Sequence, residues 1–427
     1  MEKLFTTFLF SLFLVCSSQA QNSKILLLNG FLHSGVGEVI PSAAIGIKDG
    51  KITLIKNSLA YSYKAEDWDT IINLNGKHIY PTFVAPNTTL GLTEIDAVRA
   101  TRDFDEVGSF NPHIRSQIAF NTESEVIKTV RSNGVLLAQP APRGGIISGT
   151  SSVMSLDGWN WEDATILAND GIHLNWPRST QSNKENRNVK EKAENYQKEK
   201  KLIYAFFEAS KATLDLDKNT DLRYAAMRDC FTGTKRVYIH ADELQQLQDV
   251  IDFVQHFNLK FPVIVGGYDS YLLTRKLKDA KIPVMLYRTH SLPEREDDPI
   301  DLPYKIASIL QADGVFFCIQ NEGDMEAMNA RNIPFLAGTC RAYGLTDEQA
   351  IAAISYNACK IMGIDKNFGS IEVGKSATLF VSEGDALDIR TNNVVLAMVN
   401  GKLMNLMNHQ TELFEKYSKK YLEEKGK

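Results

Sequence analysis

The sequence lacks most of the short patterns that announce a catalytic centre. It has 8 histidines, and no two are separated by a single residue, so a His-x-His metal pair is absent. No Gly-x-Ser-x-Gly elbow is present to raise a serine nucleophile. A Ser-His-Asp site stays open all the same, because triads are defined by geometry. Arg143-Gly144-Gly145, with Ser148-Gly149-Thr150 after it, could form an anion-binding nest, but it lacks the Gly-Lys-Ser/Thr ending of a phosphate loop. A turn leading into a strand is the simpler reading. Basic residues are not in excess: 47 Lys and Arg face 52 Asp and Glu, a net charge of −5. Nucleic acid is therefore not an expected partner.

Cysteine is also scarce. After Cys16 come Cys230, Cys318, Cys340 and Cys359, with separations of 88, 22 and 19 residues. These match no zinc ribbon or Cys-x-x-Cys motif. Cys318, inside Val315-Phe316-Phe317-Cys318-Ile319, reads as a buried free thiol. Long apolar runs are missing beyond the first fifteen residues. The stretch from Leu4 to Val15 is too short to span a bilayer. Ser18-Gln19-Ala20 has the small residues that signal peptidase reads, so residues 1–20 are expected to be a signal peptide. The mature chain is then exported, periplasmic or secreted, with no membrane span. Export would permit disulfides. A lipid anchor on Cys16 is disfavoured because Val15 stands where a small residue is needed.

What the sequence does contain is a β/α rhythm framed by β texture. Residues 24–80 read as short strands, with Asp49-Gly50 a hairpin turn. From about 81 to 365 strands alternate with helices. Residues 134–139 make one strand candidate, and strand starts at 237, 261, 282 and 315 follow at intervals of 24, 21 and 33. Units of that length build a parallel sheet. A helix over 347–362 opens with a Thr346/Gln349 capping box and stops at Gly363. Residues 369–402 return to strands, with Asn400-Gly401 a tight turn. The two β units are expected to pack together. The polar run from Lys184 to Lys201 reads as an exposed helix or insertion, and Glu412 to Lys427 as a charged tail helix. Trp159, Trp161 and Trp176 are assigned to packing rather than to a ligand wall.

Three segments carry a resemblance. Residues 45–81, from Ile45-Gly46-Ile47-Lys48-Asp49-Gly50 through Asn75-Gly76-Lys77-His78-Ile79-Tyr80-Pro81, form the first. Gly369-Ser370-Ile371-Glu372-Val373-Gly374-Lys375 is the second, and residues 384–402, ending Val399-Asn400-Gly401-Lys402, are the third. In order and spacing the chain resembles the amidohydrolase superfamily, in particular imidazolonepropionase-like amidohydrolases. The resemblance implies an α/β fold: a distorted TIM-like (β/α)8 barrel over 81–365 plus a small composite β-sandwich from 21–80 and 366–405, with 406–427 as the tail. It also implies a hydrolase of carbon–nitrogen bonds other than peptide bonds. Such enzymes hold one or two divalent metals at the barrel mouth. Their ligands are His-x-His after strand one, a carbamylated Lys or Glu after strand four, His after strands five and six, and Asp after strand eight.

At those positions this sequence departs from the pattern. Asn87 and Thr89 stand for the two strand-one histidines, and Gly266 for the strand-six histidine. His240 keeps the strand-five position, as a metal ligand or as a hydrogen-bonded relic. Glu322 stands for the strand-eight Asp as the candidate catalytic carboxylate, although it and Asp324 could equally be solvated loop carboxylates, or Asp324 a helix cap. Strand four, placed at 149–155, offers no acidic or lysine ligand. The cluster Asp96, Arg99, Arg102, Asp103, Asp105 and Glu106 either lines a polar pocket or makes surface pairs, the latter favoured. Three functions follow. One is a degenerate family member that binds a small molecule, or that pairs as a homo-oligomer or with an intact homologue. The second is a working hydrolase with one Zn, Mn or Fe on His240, Glu322 and Asp269 or His290. The third is a non-enzymatic assembly protein. The cofactor expectation is accordingly one divalent metal or none.

Overall fold

The computed structural model describes residues 24–179, 189–214 and 221–425. The expected signal peptide, residues 1–20, lies outside them. No described helix is long and apolar enough to cross a membrane.

One eight-stranded sheet joins both ends of the chain. Its order runs Lys402–Leu403, Val394–Val399, Leu379–Ser382, His78–Pro81, Ile25–His33, Val39–Lys48, Lys51–Asn57, and Thr70–Asn73 also pairs with Ile25–His33. Asp49 and Gly50 take the left-handed conformation that the predicted hairpin turn requires. The joint between the two ends is the antiparallel pairing of His78–Pro81 with Leu379–Ser382. Leu27, Ile45, Ile79 and Leu379 are buried together across it.

The second sheet is a nearly closed barrel of eight strands: Phe83–Thr88, Val135–Pro140, Ile147–Ser155, Thr165–Asn175, Arg236–Ala241, Pro262–Gly266, Val284–Leu286 and Phe317–Ile319. Strands three and four depart from a regular parallel barrel. Strand three pairs antiparallel with both neighbours. The cause is local: a parallel return needs a crossover of about a dozen residues, and the connection from Pro140 to Ile147 is too short for one. The segment at 149–155 is therefore strand three, and strand four is Thr165–Asn175, which corrects the sequence-based placement.

Side-chain alternation sorts the barrel's faces. Along strand five, Val237, Ile239 and Ala241 pack with the surrounding helices. Tyr238, on the opposite face, joins Val84, Leu137, Val153, Val265, Met285 and Cys318. His240 shares the parity of Tyr238 and so is carried to the strand end on that inner face. Ala358, Cys359, Ile361 and Met362 of the helix Tyr356–Met362 join the same cluster. The single helix expected over 347–362 is two, Asp347–Ile354 and Tyr356–Met362. It breaks at Ser355, whose hydroxyl donates to the Ile351 carbonyl at 2.7 Å. The capping box and the Gly363 stop are both present.

The helix Val189–Ala212 is more than an exposed insertion. Tyr196, Ile203 and Phe207 are buried in the main core, and Lys200 pairs with Asp249 at 2.8 Å. The four cysteines from Cys230 onward are free and buried. Trp176 is buried edge-on to Phe253, whereas Trp159 is exposed. Docking of this helix makes a direct prediction. Phe207→Ala should cost about 3–5 kcal/mol in denaturant unfolding, and Leu202→Ala, on its exposed side, about 0.5 kcal/mol or less. Equal effects of the two would mean that the helix does not contribute to the core.

Candidate active site at the barrel mouth

Five strand ends and one loop bring the polar residues together. The loop is the short connection after strand two, and it carries Arg143. The Arg143 guanidinium donates to Asn87 twice, to Oδ1 and to the carbonyl oxygen, each at 2.9 Å. Its second terminal nitrogen also meets Glu326 Oε1 at 2.8 Å. Asn87 turns its amide nitrogen to Glu322 Oε2 at 2.8 Å. Asn87 itself sits at φ +47, a left-handed conformation that asparagine tolerates better than most residues. Its backbone N–H donates to Gln139 Oε1 at 3.0 Å. Gln139 in turn donates to the buried Asp170, as do Ser151 and Tyr238. Burial raises the Asp170 carboxyl, and these three donors oppose that shift.

The structure brings His240 and Glu322 together, as their positions suggested. Nδ1 of His240 lies 3.7 Å from Glu322 Oε1. The other ring nitrogen, Nε2, is 2.9 Å from Nδ1 of His173. His173 was missed from sequence because strand four was placed one strand too early. The signal was there: the run Thr165–Asn175 carries a histidine two residues before its end. His173 is fully buried and stacks on Tyr238. Burial first, then His240 and Arg143, hold it well below its usual pKa, so it is neutral at pH 7. For Glu322, burial pushes the carboxyl up, but His240, Arg143 and the Asn87 amide outweigh it and hold it at about 2.

The remaining candidates are placed elsewhere or used otherwise. Gly266 has φ +97, and a Cβ there would lie 2.3 Å from Asp242 Oδ1. The space a strand-six side chain would fill is thus taken by the Asp242 carboxylate. Thr89 is buried and bonds Glu326. Asp269 is committed to Arg295 in a two-point contact at 2.7 and 3.0 Å and to the Leu244 N–H. His290 bonds Thr339 at 2.7 Å. Neither is joined to His240 by a contact. Asp324 is exposed. The cluster from Asp96 to Glu106 is a largely exposed loop, and among the described residues no ion pair forms within it.

These donors do not fit a divalent ion. His240 offers one nitrogen to His173 and the opposite one to Glu322, so the three groups share no common point. Among the described residues no group of three His, Cys, Asp or Glu side chains converges as a metal site requires. The cation in contact with Asn87, the residue at a strand-one ligand position, is Arg143.

What the mouth does offer is a set of buried polar atoms without partners among the described residues: His173 Nε2, Asp242 Oδ1, Gln320 Nε2 and Asn321 Oδ1. Native interiors satisfy nearly all such atoms, so a cluster of orphans at one end of a barrel marks a place for water or a ligand. Asp242 is the most unusual. Burial and then the nearby Glu322 charge push its carboxyl up to about 7, against a Tyr268 N–H that favours the ionised form.

The comparisons agree with this architecture. A family model described as the amidohydrolase family matches residues 192–404. The chain belongs to the amidohydrolase superfamily. An imidazolonepropionase of Shewanella frigidimarina is 35% identical over 88 residues, which is 20% of each chain. The match thus spans about one fifth of that relative's length. The crystal structure of an amidohydrolase from Thermotoga maritima superposes with a TM-score of 0.76 at 20% identity, covering 89% of this chain and 99% of that one. An adenosine deaminase from Xanthomonas campestris, solved with bound zinc, gives a TM-score of 0.52 at 12% identity, covering 94% and 98%. At these identities the two structures establish the shared fold.

Asp242 generates a prediction. Its folded pKa of about 7 lies above the unfolded value of about 3.9. The folded state therefore holds the proton more tightly, and stability falls as pH rises from about 4 through about 7. Asp242→Asn mimics the protonated form and should flatten that slope, gaining at most about 4 kcal/mol over wild type at pH 8 relative to pH 4. Urea unfolding at both pH values checks it. An unchanged pH slope in Asp242→Asn would refute the assignment.

Proposed function

We propose that this chain is an amidohydrolase-family protein that binds a small polar molecule at its barrel mouth and lacks the family's metal-assisted hydrolysis. The observation that carries the reading is the Arg143 clamp. A guanidinium, fixed by Asn87 and Glu326, supplies the positive charge beside Glu322. A fixed guanidinium cannot lower the pKa of a bound water as a metal does, because it has no open coordination position. The orphaned donors and acceptors around it suit a ligand carrying both an N–H or O–H and a carbonyl. Compounds with carbon–nitrogen bonds of the kind this family acts on have that character. Zinc in the Xanthomonas campestris deaminase is a property of that protein.

A second reading has one observation in its favour. His240 and Glu322 face each other beside Asp242, a carboxyl whose pKa lies near neutrality. Such a set could move protons for a carbon–nitrogen hydrolysis, with Asp242 accepting from water and His240 donating to the leaving nitrogen.

Metal analysis of the purified protein, with unfolding measured with and without added Zn²⁺, Mn²⁺ or Fe²⁺, separates the readings. The expected result is less than about a tenth of an equivalent bound and a melting temperature moved by less than about 1 °C, since a ligand that binds the folded state at 100 times its Kd adds about 2.7 kcal/mol. A stoichiometric metal whose removal abolishes turnover would overturn the first reading. Turnover without metal that His240→Ala abolishes would establish the second.

A further inference from the structure

The opposite end of the barrel holds a cavity that the mouth's chemistry does not use. It lies where strands five to eight begin, between Arg236, Pro262, Pro283 and Phe316, and its volume is about 370 Å³. That is the size of a small-molecule site. Its floor is apolar: Val263, Leu277 and Ile282 are buried there, and Phe261 and Phe316 stand at its rim. Five cations surround this floor, Arg236, Lys260, Lys278, Lys281 and Lys360, and among the described residues no carboxylate lines it.

In a chain with more acidic than basic residues, that concentration is uneven. Among the described residues none of the five comes within 4.0 Å of an acidic oxygen. The nearby Asp279 is paired with Arg275 at 3.9 Å. Arg236, Lys360 and Lys278 are instead held by neutral partners. Arg236 donates to the Ile361 carbonyl and lies over the Phe261 ring at 5.5 Å. Gly363 allows this, because a Cβ there would collide with the guanidinium. Lys360 lies over Phe316 at 5.3 Å, and Lys278 donates to the Asp313 carbonyl at 3.0 Å. Two of the cations lie over aromatic rims, and none of the five is in a direct ion pair among the described residues, an arrangement that favours an anion from solution.

We infer that this cavity binds a small amphipathic anion, an alkyl or aryl carboxylate, whose apolar body lies on the Val263–Leu277–Ile282 floor and whose charged head meets Lys281 and Lys360. Apolar floor and cationic rim together favour an occupant with both characters. A neutral hydrocarbon would make no use of the exposed cations, and inorganic phosphate none of the apolar floor. The inference is independent of the reading of the mouth, since it uses none of its residues.

The test is displacement of 1-anilinonaphthalene-8-sulfonate fluorescence from the full chain by octanoate, 1-octanol and inorganic phosphate. Octanoate should displace one probe per chain, at least tenfold more tightly than either of the others. Lys281→Glu with Lys360→Glu should weaken octanoate at least tenfold without moving the melting temperature. If that pair melts early, Lys281→Gln with Lys360→Gln carries the same comparison, with a loss of at least threefold. Glu322→Gln at the mouth should leave octanoate binding unchanged. Equal displacement by octanol, less than a twofold loss in both lysine pairs, or loss of octanoate binding in Glu322→Gln would each overturn the inference. So would a concentration-dependent dimer, seen by gel filtration, that octanoate fails to dissociate.

Discussion

A guanidinium taken largely out of water needs acceptors on all sides, and Arg143 finds them in two segments far apart in sequence. Its contacts to Asn87 tie strand one to the loop after strand two, and its contact to Glu326 ties both to the segment after strand eight. Removing the arginine would leave Glu326 buried without its main counter-charge. Asn87 would lose the partner of its side-chain oxygen and of its carbonyl, while its amide still held Glu322. Asn87 thus links the clamp to Glu322, which in turn faces His240. A guanidinium can do this because its fork is rigid and permanently charged; a lysine could meet Glu326 but not both Asn87 acceptors at once.

Arg143 reaches the mouth because strand three runs backwards. Strands two and three are joined by a turn that stays at the mouth, where a parallel barrel would send the chain down the outside. The same reversal leaves Thr165–Asn175 as the true fourth strand and lays His173 against His240. Two features are thus consequences of one short connection: the cation at the mouth and the second histidine.

The barrel and the joined β unit were legible in the sequence because they rest on local signals. Alternation at 237–241, the capping box at Thr346 and Gln349, and the turns at Asp49-Gly50 and Asn400-Gly401 are each set by residues within a few positions of one another. His240 and Glu322 were legible because each ends a recognisable strand. His173, the role of Arg143 as a clamp on Asn87 and Glu326, and Asp242 were not, for two different reasons. The first two depend on the direction of strand three, which the nine-residue gap between the strand candidates at 134–139 and 149–155 already implied, since no crossover helix fits in it. Asp242 is different in kind: no spacing states that its carboxyl fills the space above Gly266, or that Glu322 stands close enough to raise its pKa.

The Asp242–Gly266 contact also bears on how a site of this kind could change. Restoring a histidine at 266 demands more than one substitution. The backbone at φ +97 disfavours any side chain, and the Asp242 carboxylate occupies the volume. Asp242 would have to leave as well. Restoring a strand-one histidine at 87 would likewise break both side-chain contacts that Asn87 makes, to Arg143 and to Glu322. The two positions are therefore constrained by their neighbours: Asn87 is held by Arg143 and Glu322, and the space at Gly266 is taken by Asp242. These positions are filled by a clamp and a half-buried acid, and among the described residues the polar atoms beside them include several without partners.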